Sequence, residues 1–152
     1  MNFDQPFQLR ENIRQLERKL GILQDNQQAC CCISMAQCHA LVEIGRAKSI
    51  SLNELSKKLN VDNSTTSRAV NKLVTGNLVK RDIDPNDRRY VTITLTEHGE
   101  KVFLNIESDR NAYFKQVFEF IPESKREQVV ESLSILIEAI TANQKSENKE
   151  QK

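Results

Sequence analysis

"LNELSKKLNVDNSTTSRAVNKLVTGNLVKR", residues 52–81, decides what kind of chain this is. Ser51, just before it, and Glu54 inside it have the spacing of a capping box, and Leu52, Leu55 and Leu59 make an apolar stripe two or three turns long. Asn60 suits a left-handed residue closing that helix. A second short helix then starts with Asp62 or Asn63 as its cap, and Gly76 is the expected terminator. At the helical period Thr66, Ala69, Val70, Leu73 and Val74 fall on one side, and Ser64, Ser67, Arg68, Asn71 and Thr75 on the other, with Lys72 at the flank. The outer side carries no acid.

Immediately downstream, "NLVKRDIDPNDRRYVTITLT", residues 77–96, predicts strands over Leu78–Ile83 and Tyr90–Leu95 around a Pro, Asn and Asp turn. The hairpin tip is basic. Helix, tight turn, helix and basic hairpin form the layout of a winged helix-turn-helix, and each part has a job on DNA. Hydroxyls, Asn71 and Arg68 suit base edges and phosphates in a major groove about 12 Å wide. Arg88 and Arg89 can reach a minor groove or the flanking backbone, with Asp87 orienting one of them.

Upstream, Leu9, Ile13, Leu16, Leu20 and Leu23 recur at spacings of four, three, four and three, a narrow seam that faces either a partner or its own domain. "ISMAQCHALVEIG" follows, with a capping box from Ser34 and Gln37, a staple from Ile33 and Gly45 as the expected stop. After Thr96 a long helix carries Phe103, Ile106, Tyr113, Phe114, Val117 and Phe118, Pro122 interrupts it, and a last helix carries Val129, Val130, Leu133, Leu136, Ile137 and Ile140. The tail "NQKSENKEQK", residues 143–152, has no apolar residue and is expected to fray.

The 152 residues suit one domain, and 28% charged residues with 4 Gly and 3 Pro argue for a helix-rich fold. No apolar run spans a bilayer and the start lacks a signal-peptide layout, which predicts a cytoplasmic protein with no membrane partner. Residues 53–95 carry 8 Lys+Arg against 5 Asp+Glu, a net +3, and residues 96–152 carry 8 against 11, a net −3. One face can thus approach a polyanion while the rest does not. With no Gly-rich phosphate loop or nucleophile elbow, and with His39 and His98 in unrelated contexts, the chain does not read as an enzyme.

"LNELSKKLNVDNSTTSRAVNKLVTGNLVKR" and "DPNDRRYVTITLTEHG" together resemble the MarR-type transcriptional regulators (multiple antibiotic resistance regulators), and the resemblance covers about residues 7–142. It implies a mainly α fold with a small β-hairpin wing, a winged helix-turn-helix lobe at 34–95 and a helical dimerisation region at 7–28 and 97–142. It also implies a homodimer reading a near-palindromic site on double-stranded DNA, and the chain reads as a repressor, with an activator as the alternative, gated by an effector. Ser64, Thr65, Ser67, Arg68, Asn71 and Lys72 become recognition-helix residues by position, and Asp87, Arg88 and Arg89 the wing. A winged helix used for protein interaction is the competing class, although such a wing would more often have an apolar tip.

All four cysteines, Cys30, Cys31, Cys32 and Cys38, fall within nine positions, with His39 behind them. The triplet is expected in an extended connector, where Cys30 and Cys32 point to one side and could converge with Cys38. No cofactor is required. Cys30, Cys32, Cys38 and His39 are candidate metal ligands, and a thiophilic metal, metalloid or oxidant is a candidate effector. Equally open is a regulator with an organic effector, in which Cys38 is a small core hydrophobe and the triplet plain loop.

Overall fold

Local signals start most of the helices. The structure is a computed structural model that describes the backbone of residues 4–31 and 33–150 and the side chains of residues 4–21 and 33–149. Its elements run α1 (Gln5–Cys31), α2 (Met35–Ala47), β1 (Ile50–Ser51), α3 (Leu52–Leu59), α4 (Asn63–Thr75), β2 (Val79–Ile83), β3 (Val91–Leu95), α5 (Glu97–Glu119), a 3-10 turn (Glu123–Lys125) and α6 (Arg126–Glu150). Ser34 and Ser51 each accept from the backbone N–H three residues on, and Gln37 and Glu54 reach back to the caps, so both expected capping boxes form. Asp62, not Asn63, caps α4. Asn60 takes the left-handed conformation (φ 54°, ψ 44°).

Of the two glycines read as helix stops, Gly76 is one and Gly45 is not. Gly45 lies inside α2, which runs on to Ala47, and a Cβ there would sit 2.6 Å from the Phe103 ring. It is glycine because α5 packs there. Gly76 ends α4 with φ −77°, and Asn77 (φ 57°) is the left-handed residue. The expected hairpin also gains a strand: β1 pairs antiparallel with β3 through Ile50 and Ile93, giving the order β1-β3-β2.

The chain divides into two units within α5, between Glu107 and Ser108. In the first, Leu41, Ile44, Leu55, Val70, Leu73, Val79 and Ile93 are essentially inaccessible, and Phe103 and Ile106 join them. The opening turns of α5 therefore belong with the winged lobe, which extends past the residue 95 expected from sequence. Burying a side chain of this size stabilises by roughly 1.5–3 kcal/mol, so this cluster holds the lobe. One polar chain crosses it: the Ser56 hydroxyl donates to Thr66 Oγ1 (2.8 Å) and Thr66 to the Asp62 carbonyl (3.0 Å), fixing α3 against α4 without an unsatisfied buried group.

The base of the wing is tied to α5 by the Thr96 N–H on the Leu78 carbonyl (3.1 Å) and the Thr96 hydroxyl on the Asn77 carbonyl (2.6 Å). Gly99 comes so close that a Cβ would lie 1.8 Å from the Leu78 carbonyl oxygen. In the second unit Tyr113 and Phe114 make an edge-to-face pair, and Arg126 lies over the Phe118 ring while donating to the Ile121 carbonyl. The helix of the tail continues to Glu150 where fraying from 143 was expected, since Ala142, Gln144, Lys145 and Glu147 are good helix formers and Asn143 donates to Glu147 one turn on. No described helix is long and apolar enough to cross a membrane.

Candidate nucleic-acid interface

Helix α4 turns one side inward and leaves the other bare. Thr66, Ala69, Val70 and Leu73 are buried, Val74 lies outside that set at 37% exposure, and Ser64, Arg68, Asn71, Lys72 and Thr75 are exposed, with Thr65 and Ser67 half-buried. The predicted outer face is thus the open one. Asp62 accepts the Thr65 N–H (2.6 Å) and hydroxyl (3.0 Å), bonds that hold its carboxyl below the usual range, the backbone one foremost, with Arg68 nearby adding to the effect. Glu54 is lowered in the same way by the Ser51 N–H and hydroxyl.

Each outer side chain has a distinct state. Arg68 touches the Thr65 hydroxyl at 3.4 Å, too long to restrain it much. Thr75 turns its hydroxyl back onto the Asn71 carbonyl (3.0 Å), so its proton is used within the helix. Asn71 accepts from the Arg81 guanidinium of β2, a link between helix and wing that the sequence reading did not foresee. Arg81 closes the segment "NLVKR" that follows α4 and Gly76, and its basic charge was the available signal.

At the wing tip Asp84 accepts the Asn86 N–H (2.8 Å), its own N–H donates to the Tyr90 carbonyl (2.9 Å), and the Tyr90 N–H donates to the Asp87 carbonyl (2.9 Å). This compact turn carries Arg88 and Arg89 outward. Asp87 accepts the Arg89 N–H (3.0 Å) and Nε (3.2 Å), as the sequence suggested, while the Arg89 side chain stays 91% exposed. Such an exposed pair adds little stability, so its effect is to orient the guanidinium. No ion pair of Arg88 occurs among the described residues. Lys72, Lys80, Arg81, Arg88 and Arg89 place positive charge on α4 and the wing, while Asp82, Asp84 and Asp87 of the wing are each engaged in hydrogen bonds.

The cysteines do not sit as expected. α1 runs through Cys31, so Cys30 and Cys31 are helical and the two-sided alternation of an extended connector does not apply to them; the Gln-rich and Ala-containing stretch before them favours continued helix. Their side chains and Cys32 lie outside the described residues. Cys38 is half-buried on α2, packed with Ile33 against the core, and His39 is exposed. Among the described residues no three His, Cys, Asp or Glu are grouped to hold a metal. His98 is an exposed residue of the first turn of α5.

The sequence model of the MarR family matches residues 33–91. The chain is 28% identical over 108 residues to the uncharacterized HTH-type transcriptional regulator YfiV of Bacillus subtilis, spanning 71% of this chain and 68% of that one. Among solved structures, Streptococcus pneumoniae FabT in complex with DNA matches with a TM-score of 0.82 at 20% identity, covering 89% of this chain and 96% of the other. A MarR transcriptional regulator from Methanosarcina mazei Go1 matches at 0.74 and 28% identity, covering 88% and 96%.

Proposed function

Because the chain belongs to the MarR family of transcriptional regulators and not to an enzyme class, we propose that it represses transcription as a homodimer on a near-palindromic DNA site and leaves that site when an effector binds. The observation that carries DNA binding is the acid-free outer face of α4 set beside a wing with outward arginines. The fold shared with FabT, which was solved on DNA, supports it. Dimerisation is supported by the bare apolar residues of α6: Val130, Leu133, Ile135, Ile137 and Ile140 are 44–63% exposed.

For the effector we propose a thiol-reactive metal, metalloid or oxidant. The support is the occurrence of four cysteines within nine positions of the sequence, Cys30 to Cys38. The packing of Cys38 against the core favours the other reading, an organic effector with structural cysteines. A quadruple Cys→Ser variant that keeps DNA binding and loses release by Cu(I), arsenite and peroxide decides for the thiols; one that still releases decides against them.

DNA binding itself is tested by selecting randomised duplexes on the protein and measuring affinity against salt. Enrichment of a near-palindromic sequence is expected, with affinity falling steeply as salt rises. Arg68→Ala should erase the preference and Arg89→Ala should weaken binding evenly across sequences. Selection of no sequence at all would remove the proposal.

A further inference from the structure

We infer that Arg81 is a positioning residue that sets what Asn71 can read. This rests on the DNA-binding role proposed above. Arg81 stands on β2, opposite Ile93 of β3, and its Nη2 donates to Asn71 Oδ1 on α4. A guanidinium has only donors, so the amide must turn its oxygen toward Arg81 and its nitrogen away from it. The orientation of Asn71 follows from that partner alone.

Nothing else described competes for either group. Arg81 has no ion pair among the described residues, and the neighbouring Asp82 is taken by the Thr94 hydroxyl at 2.9 Å. The Asn71 backbone carbonyl is used by Thr75, which leaves the side-chain amide as its outward polar group.

The chemical consequence is a choice of base edge. A free asparagine grips adenine by donating to N7 and accepting from N6–H. An asparagine whose oxygen is turned to an arginine keeps one lone pair on that side, and it is the two N–H donors that are turned away from the wing and free to meet a base. Asn71 therefore favours an acceptor edge, guanine N7 and O6 or thymine O4, and disfavours the cytosine N4 donor. Arg81 supplies this preference from the wing without touching the base itself.

The test uses randomised duplexes selected first on the intact wild-type protein, then Asn71→Ala, Arg81→Ala, Arg81→Lys and the double variant measured on the selected duplex. If the wild type selects nothing, the DNA-binding proposal fails and the present one with it; the remaining outcomes concern Arg81 alone. Expected is a guanine or thymine preference at one position per half-site, flattened by Asn71→Ala and shifted toward adenine by Arg81→Ala, which frees the amide, each weakening binding to the selected duplex roughly tenfold. The double variant should bind within about twofold of Asn71→Ala, because both substitutions remove one coupled contact. Arg81→Lys, which keeps a donor, should restore the preference in part. In the free protein, the Asn71 side-chain amide resonances should shift on Arg81→Ala while melting stays unchanged. Multiplying losses in the double variant, an unaltered base preference in Arg81→Ala, or unmoved Asn71 amide resonances would overturn the inference.

Discussion

The winged lobe and the C-terminal helices spend apolar residues in opposite ways. Among the described residues all the buried apolar ones lie between Ala40 and Ile106, whereas from Ser108 to Lys149 none is buried, and Phe120 is 90% exposed. The lobe closes a core within one chain. The C-terminal unit carries equally apolar side chains and leaves them in water, which a free monomer rarely does on this scale. Stability in the first region is thus a property of the sequence alone, and in the second it should depend on concentration.

The largest expected effect breaks the second region only. Leu133→Asp with Ile137→Asp should weaken self-association on the order of 100-fold or more, because carboxylates would be desolvated in the apolar contact. Light scattering should then give a monomer mass, with hydrogen exchange in α2, α3 and α4 unchanged. A wild type already monomeric at micromolar concentration would erase the contrast. Next comes Leu55→Ala, which opens a cavity at a fully inaccessible site and should cost about 3 kcal/mol. In a chain of this length that lowers the melting temperature by roughly 6–12 °C. Made in the monomeric background, the loss should be the same size and independent of concentration; a loss that vanished there would show that the lobe leans on its partner.

The smallest effect sharpens the comparison through pH. Asp62 has its carboxyl lowered by the Thr65 N–H and hydroxyl, so its contribution is present above the ordinary value of 3.8 and is lost as pH falls below it. Asp62→Asn keeps a capping oxygen without the titration. The variant's urea midpoint should therefore change less than the wild type's between pH 5 and acid, and equal changes would assign the acid sensitivity elsewhere.

What was readable in the sequence was what lies within one turn. The capping boxes, the Asp62 cap, the left-handed Asn60 and the two faces of α4 are settled by residues three or four apart. Gly45 could not be read, because the Phe103 ring that requires it belongs to α5, and β1 could not, because a two-residue strand exists only through its pairing with β3. Ser56 gave no signal until Thr66 was placed against it. The same limit hid the partner of Asn71: Arg68, Arg88 and Arg89 stood out by position, but that Arg81 reaches across to α4 is a fact of packing. At the cysteines, the neighbouring composition favoured continued helix over the connector inferred from the Ser34 cap.

The meeting of Gly99 with the Leu78 carbonyl has a mechanical consequence. With no side chain between them and two hydrogen bonds from Thr96 alongside, the wing root and the head of α5 meet backbone to backbone. A side chain added at position 99 would therefore have to push the root of the hairpin off the helix, and Gly99→Ala should disturb the wing before it disturbs the core.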